Sequence, residues 1–229
     1  MLSLISMNWD PIFLTFKLAL ITTGVLLLIG IPLGYWLSYS KSRFKSVLAA
    51  LVSMPLVLPP TVLGFYFLLA FSPNNAFGLW LEDVLGIRLV FSFGGLVVAS
   101  VIYSLPFMVH PIAAGFSNLP TSYKEASELM GRSRFETIRH VLLPNMKPAL
   151  ISGTVLAFAH TIGEFGVVLM IGGSIPGNTR VASIAIYDEV EKLNYADAHV
   201  YSIILFALAF LVLLWVYSYG RNRLSSVMR

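Results

Sequence analysis

EASELMGRSRFETIRHVLLP, from Glu125 to Pro144, is charged, amphiphilic and interrupted by a glycine, within a chain of 229 residues that is 57% hydrophobic. Backbone and charge of this kind cannot face hydrocarbon, so the segment reads as a loop between membrane spans. Just before it, Ser122-Tyr123-Lys124-Glu125 places a hydroxyl three residues ahead of a glutamate. That is the spacing of a capping box, in which side chains satisfy the free backbone donors of a helix start. Ser133-Arg134-Phe135-Glu136 repeats the pattern after Gly131, a residue type suited to the left-handed turn that ends helices. The spacing predicts two short helices joined at a glycine corner, the second running on until Pro144 starts the next span. Tyr123, Ala126 and Met130, with Leu129 beside them, share one side of the first helix, flanked by Lys124, Glu125 and Glu128. Such a helix can lie on the membrane surface or fill a partner's groove, and a rigid corner that projects it from the bilayer favours the partner.

Working outward, only 11% of the residues are charged, against about a quarter in soluble proteins. Leu18–Leu37, Val47–Phe71, Leu89–Ser117 and Val200–Tyr219 carry no formal charge, and Pro148–Gly173 carries Glu164 alone. Each meets the roughly 20 apolar residues that a span requires. The expectation is an all-α membrane protein: one transmembrane domain over 1–229 with five spans near 12–38, 47–71, 89–117, 145–173 and 200–220, and a loop at 118–144. MLSLISMNWDP has neither a basic leader nor a small-residue cleavage pattern after it, so the first span is expected to be retained. There is no cysteine, which excludes disulfides and thiolate metal sites.

Basic residues near span ends stay cytoplasmic. Lys41, Arg43 and Lys45 follow the first span, Lys124, Arg132, Arg134, Arg139 and Lys147 lie around the insert, and Arg221, Arg223 and Arg229 close the chain, eleven of the fifteen. The N-terminus is therefore expected outside and the C-terminus inside. The net charge of +4 follows from this asymmetry and requires no nucleic-acid partner.

Prolines mark two spans, Pro55, Pro59 and Pro60 in one, Pro106 and Pro111 in the other. Each removes a backbone donor, so these spans either break against the protein interior or kink for packing. The outer loop Ser174–His199 has the mixed spacing of a short helix across the outer mouth. Gly172–Thr179 nearly spells a phosphate-binding loop, but Asn178 replaces the required lysine and the stretch falls outside, so it reads as a turn. Glu164 has His160 four residues earlier on the same face, which suggests a His–Glu pair, a cap for broken backbone, or a proton relay. Lys17 can snorkel to the outer interface, and His110 beside Pro111 can satisfy a kink. No arrangement for hydrolysis or metal binding is evident.

The spacing Glu125-Ala126-Ser127, three residues, Gly131, nine residues, Val141-Leu142-Leu143-Pro144 resembles the EAA loop of ATP-binding-cassette importer permeases, with Ser127 and Val141 the only departures. MPLVLPPTVLGFYFLL (Met54–Leu69), HTIGEFGVVLMIGG (His160–Gly173) and GNTRVASIAIYDEVE (Gly177–Glu191) are similar to the molybdate-type branch, with sulfate and tungstate permeases as near relatives. The resemblance implies a non-catalytic permease of the bacterial inner membrane that imports molybdate or a similar tetrahedral oxyanion. It implies a second copy of the chain, an external oxyanion-binding protein, and a cytoplasmic ATPase pair that binds ATP and magnesium, no cofactor residing in this chain. Tyr123, Glu125, Ala126, Ser127, Leu129, Met130 and Gly131 would seat in the ATPase. Pro59, Pro60, Thr61, Gly64, Ser104, His110, His160 and Glu164 are the expected path. A proton-coupled transporter using His160 and Glu164 directly is the alternative of another class.

Overall fold

Thirty residues from Asp10 to Tyr39 form α1, at 1.5 Å per residue about 45 Å long and so longer than the hydrocarbon core. The computed structural model describes residues 8–227, so Arg229 and most of the segment on which the retained-leader reading rests, Met1–Met7, lie outside the described residues. α1 packs along α5 (Phe93–Ser117), and glycines set how closely they approach. A Cβ on Gly30 would lie 2.7 Å from Met108 Cγ, and one on Gly34 2.6 Å from Ile112 Cγ2. The constant offset between these pairs makes the two helices parallel. Small residues at such crossings let backbones meet where lipid offers no hydrophobic drive for association.

The described residues contain three unbroken helices able to span a membrane, α1, α5 and Tyr195–Leu214 of α12 (Tyr195–Val227), or up to five spans if two bent pairs each count as one. One bent pair is the proline-rich second span. α2 (Lys45–Ser53) gives way to a 3-10 turn at Met54–Leu56, and α3 (Pro60–Phe71) leaves at 110°. Pro59, fixed at φ −54° and ψ 136°, cannot continue α2, and Pro60 is preset for the first turn of α3. The third span behaves differently. α5 runs unbroken through Pro106 and Pro111, because packing against α1 on one side and α9 on the other holds it together.

The insert also departs from expectation. α6 (Thr121–Leu129) starts on Pro120, so Ser122 falls inside the first turn and makes no capping box with Glu125. The second box is present, with Ser133 and Glu136 bonded reciprocally at the start of α7 (Arg134–Thr137). A π-helical stretch, Ile138–Leu142, and the short α8 (Leu143–Asn145) follow. The chain then turns by 83°, and α9 (Lys147–Ile162) begins at Lys147 rather than at Pro144. A second interruption, Gly163–Phe165, separates α9 from α10 (Gly166–Gly172).

Two further helices lie in the connections expected outside. α11 (Ala182–Glu191) matches the expected loop helix, whereas α4 (Ala76–Leu85), ended by Gly86 in the left-handed conformation, was not foreseen. Gly172–Thr179 is a turn, with the Thr179 hydroxyl donating to the Gly172 carbonyl (2.7 Å) and accepting from the Ile175 N–H (3.1 Å).

Two of the four apolar clusters among the described residues hold most of the core. Leu14, Leu18, Leu63, Leu96, Val167 and Ile171 belong to the outer one, Leu26, Met108, Ile112, Phe116, Leu142 and Ala157 to the inner. Between them along the helices runs a buried polar belt: Thr22 and Thr23 of α1, Ser100 and Ser104 of α5, and Thr161 and Glu164 at the end of α9.

Candidate functional site

The cytoplasmic corner is built by one hydrogen bond and one turn. Gly131 takes φ +71°, and its N–H bonds the Glu128 carbonyl, which reverses the chain after α6. Behind it the Ser127 hydroxyl meets the Thr137 hydroxyl at 2.8 Å, both side chains buried, which clamps α6 to α7. Ser127 therefore faces inward and offers no contact to a partner. The remaining expected residues are exposed: Leu129 at 89%, Met130 at 67% and Tyr123 at 40%, with Glu125 and Ala126 on the same helix. Phe135, exposed at 68% on α7, instead lines a groove with Leu27, Leu28, Ile31 and Pro32 of α1. Lys124 is turned back, 5.2 Å from the Tyr39 ring centroid, so the helix is tied to the end of α1. The Ser133 N–H and hydroxyl both bond Glu136 and hold its carboxyl below the usual range.

In the membrane, a cavity of about 500 Å³ opens where two chain breaks meet the unbroken α5. Pro60 and Thr61 at the start of α3, Tyr103 of α5, Ala159 and His160 of α9, and Gly163, Glu164, Phe165 and Gly166 at the α9–α10 break line it. Gly166 permits the convergence, since a Cβ there would lie 2.9 Å from Pro60 Cβ. Of the expected path residues, Pro60, Thr61, His160 and Glu164 meet here, while Pro59, Gly64, Ser104 and His110 do not line it. Pro59 precedes α3 as its cap. Gly64 is buried in the α3–α10 contact, where a Cβ would come within 2.6 Å of Met170 Cβ. Ser104 stands behind the wall, bonded to His160 Nδ1 (2.9 Å) and the Thr161 hydroxyl (3.1 Å). His110 reaches the Ser53 hydroxyl at 3.1 Å and ties α5 to α2.

The His160–Glu164 pair does not form. The His160 ring is held by Ser104 and stacks on Phe107, centroids 4.0 Å apart, and Glu164 has no hydrogen-bond partner among the described residues. The break is fastened instead from outside: the Ser183 hydroxyl donates to the Glu164 carbonyl at 2.6 Å, and Phe165 packs on Tyr187, centroids 5.3 Å apart. Both partners lie on α11, which is itself anchored by its Ala182 N–H to Thr15 Oγ1 (2.8 Å) and by Arg180 ion pairs to Asp188 and Glu189, each 2.9 Å. Burial alone would raise Glu189, but hydrogen bonds from Lys192, Asn194 and Arg180 outweigh it and leave the carboxyl below its ordinary value. Lys17, at the outer end of α1, lies 4.7 Å from the Phe93 ring centroid.

Residues 30–226 match the family described as binding-protein-dependent transport system inner membrane component. The chain is 45% identical to the molybdenum transport system permease protein ModB of Azotobacter vinelandii, over 91% of this chain and 92% of that one. It is 30% identical to the sulfate transport system permease protein CysT of Escherichia coli strain K12, over 86% and 73%. Its fold is similar to that in the inward-facing MetNI methionine ABC transporter, with a TM-score of 0.70, 17% identity and coverage of 93% and 94%. A bacterial ABC transporter that imports alginate gives 0.72, at 16% identity over 96% and 82%.

Proposed function

The chain belongs to the binding-protein-dependent transport system inner membrane components, and from that premise we propose that it is the membrane-spanning subunit of an ATP-driven importer of molybdate or a similar tetrahedral oxyanion. The observation that carries the reading is the likeness to a molybdenum permease along nine-tenths of both chains. The geometry is consistent with it. The cytoplasmic corner presents Tyr123, Ala126, Leu129 and Met130 on a rigid two-helix scaffold, an apolar face suited to the groove of a separate ATPase. ATP and magnesium bind that partner, in a pair, and this subunit is non-catalytic.

The anion arrives from an external binding protein above α11 and passes the chamber at Thr61, Tyr103 and His160. The Thr61 and Tyr103 hydroxyls, a His160 ring nitrogen and the Thr61 N–H at the start of α3 hold an oxyanion there without fixed charge. A second copy closes the path by covering the exposed residues Val57, Phe65 and Tyr66 beside the chamber. The assembly sits in the bacterial inner membrane with α4 and α11 outside.

The proton-coupled alternative loses its basis, since His160 and Glu164 are not joined in a relay. The test is uptake into vesicles holding this chain, its ATPase inside and its binding protein outside. Molybdate accumulation that requires internal ATP supports the reading. Accumulation driven by a pH gradient without the ATPase overturns it, and uptake of sulfate or tungstate in preference to molybdate reassigns the cargo within the same family.

A further inference from the structure

The buried belt between the two apolar clusters contains polar atoms for which the folded chain supplies no hydrogen-bond partner: Thr22 Oγ1, Thr23 Oγ1, Ser100 Oγ and both carboxyl oxygens of Glu164. Glu164 is 4% exposed, and the Ser100 hydroxyl lies beside its carboxyl without completing a hydrogen bond of good geometry. Register places Thr22 level with Ser100, because Gly30 faces Met108 and Gly34 faces Ile112 at the same offset. No Lys, Arg or His nitrogen lies within 4.0 Å of this carboxyl among the described residues. Of the titratable and charged groups around it, His160 is committed to Ser104, Tyr103 packs on the His160 ring, Arg180 pairs with Asp188 and Glu189, and Lys17 sits over Phe93. Both oxygens are closed off from solvent within one copy.

An ionised carboxylate without donor or counter-charge in a dry interior is the costliest arrangement available to it, and a carboxylic acid is both donor and acceptor. We propose that Glu164 is a neutral, protonated positioning residue: its O–H completes the hydrogen bonding of the Thr22–Ser100 belt and holds the α9–α10 break that walls the chamber. The chamber then presents no negative charge to an anion although a glutamate forms its edge. This rests on the transport reading only for that consequence.

The experiment is infrared difference spectroscopy of the reconstituted chain at neutral pH, parent against Glu164→Gln, combined with oxyanion uptake by the complete assembly. The expected result is a protonated-carboxyl carbonyl band in the parent that Glu164→Gln removes, with uptake retained better by Glu164→Gln than by Glu164→Ala. Absence of the band overturns the proposal, and so does uptake no greater in Glu164→Gln than in Glu164→Ala, since a neutral amide of the same shape keeps a donor and an acceptor. Should Glu164→Gln fail to assemble, isotope-labelled glutamate in the parent reports the same band by its shift, and no shifted band overturns the proposal. The spectrum needs no cargo, so a parent chain that moves no oxyanion sinks the transport reading and leaves this one standing.

Discussion

Thr61 and Gly64 lie one turn apart on α3 and fail in different ways when enlarged. Thr61 is exposed at the chamber, so Thr61→Trp is expected to cut oxyanion uptake by about tenfold or more while the chain still binds its ATPase. Gly64 is packed on Met170, so Gly64→Leu is expected to overpack the α3–α10 contact by about 1–3 kcal/mol, read as a lower melting temperature in detergent. The two residues look alike in sequence, since periodicity does not tell a path-lining position from a helix contact. Ser127 carries a similar lesson. As a departure from the alanine of the EAA pattern it reads as a partner contact, but burial makes it a clamp on Thr137. Ser127→Ala is expected to destabilise the corner by about 1 kcal/mol, with faster amide exchange across α6 than across α9 as the check.

At the scale of elements, composition revealed the spans and the double helix of the insert, and hid how they bend. Pro59-Pro60 broke its span and Pro106 and Pro111 did not, because a proline's effect depends on whether neighbouring helices support the strand of backbone it weakens. The break at Gly163–Phe165 had a signal in the flanking glycines, masked by the interest of the carboxylate between them. α4 could have been found from Asn75 and Gly86, a cap at each end of an apolar segment too short to span. The outer helix α11 is the element whose chemistry gives a pH dependence. Glu189 is held below its ordinary carboxyl value, so its contribution is full above the unfolded carboxylate range and is lost as pH falls through the lower folded value. Acidification is therefore expected to loosen α11 before the membrane helices, seen as exchange of its amides, and Glu189→Gln to remove that sensitivity. Ser183→Ala releases the Glu164 carbonyl from α11. It is expected to lower the stimulation of the ATPase by loaded binding protein while leaving basal hydrolysis within about twofold.

For the whole molecule, eleven basic residues give the expected orientation, whereas the joint chamber is not legible in the sequence, because its walls come from two breaks and the unbroken α5, far apart along the chain. The absence of cysteine gives a clean check of topology. Single substitutions Asn75→Cys and Arg132→Cys should react with an impermeant thiol reagent from opposite sides, the first in intact cells and the second only after the cytoplasmic face is opened. Reaction of both from one side would overturn the arrangement.

The two greasy clusters above and below the hydroxyl-bearing layer also bear on what happens when nothing is being carried. A bacterial membrane stores energy as voltage, worth about 2.3 kcal/mol for each elementary charge moved through 100 mV, and any continuous file of water through a resting subunit would discharge it. Leu18, Leu96 and Ile171 on one side and Leu26, Met108 and Ile112 on the other cork the polar layer at both ends. Within one copy the idle subunit is thus an electrical insulator, and polar substitutions such as Leu96→Asn or Met108→Asn should show first as ion leak, before any change in the anion being moved.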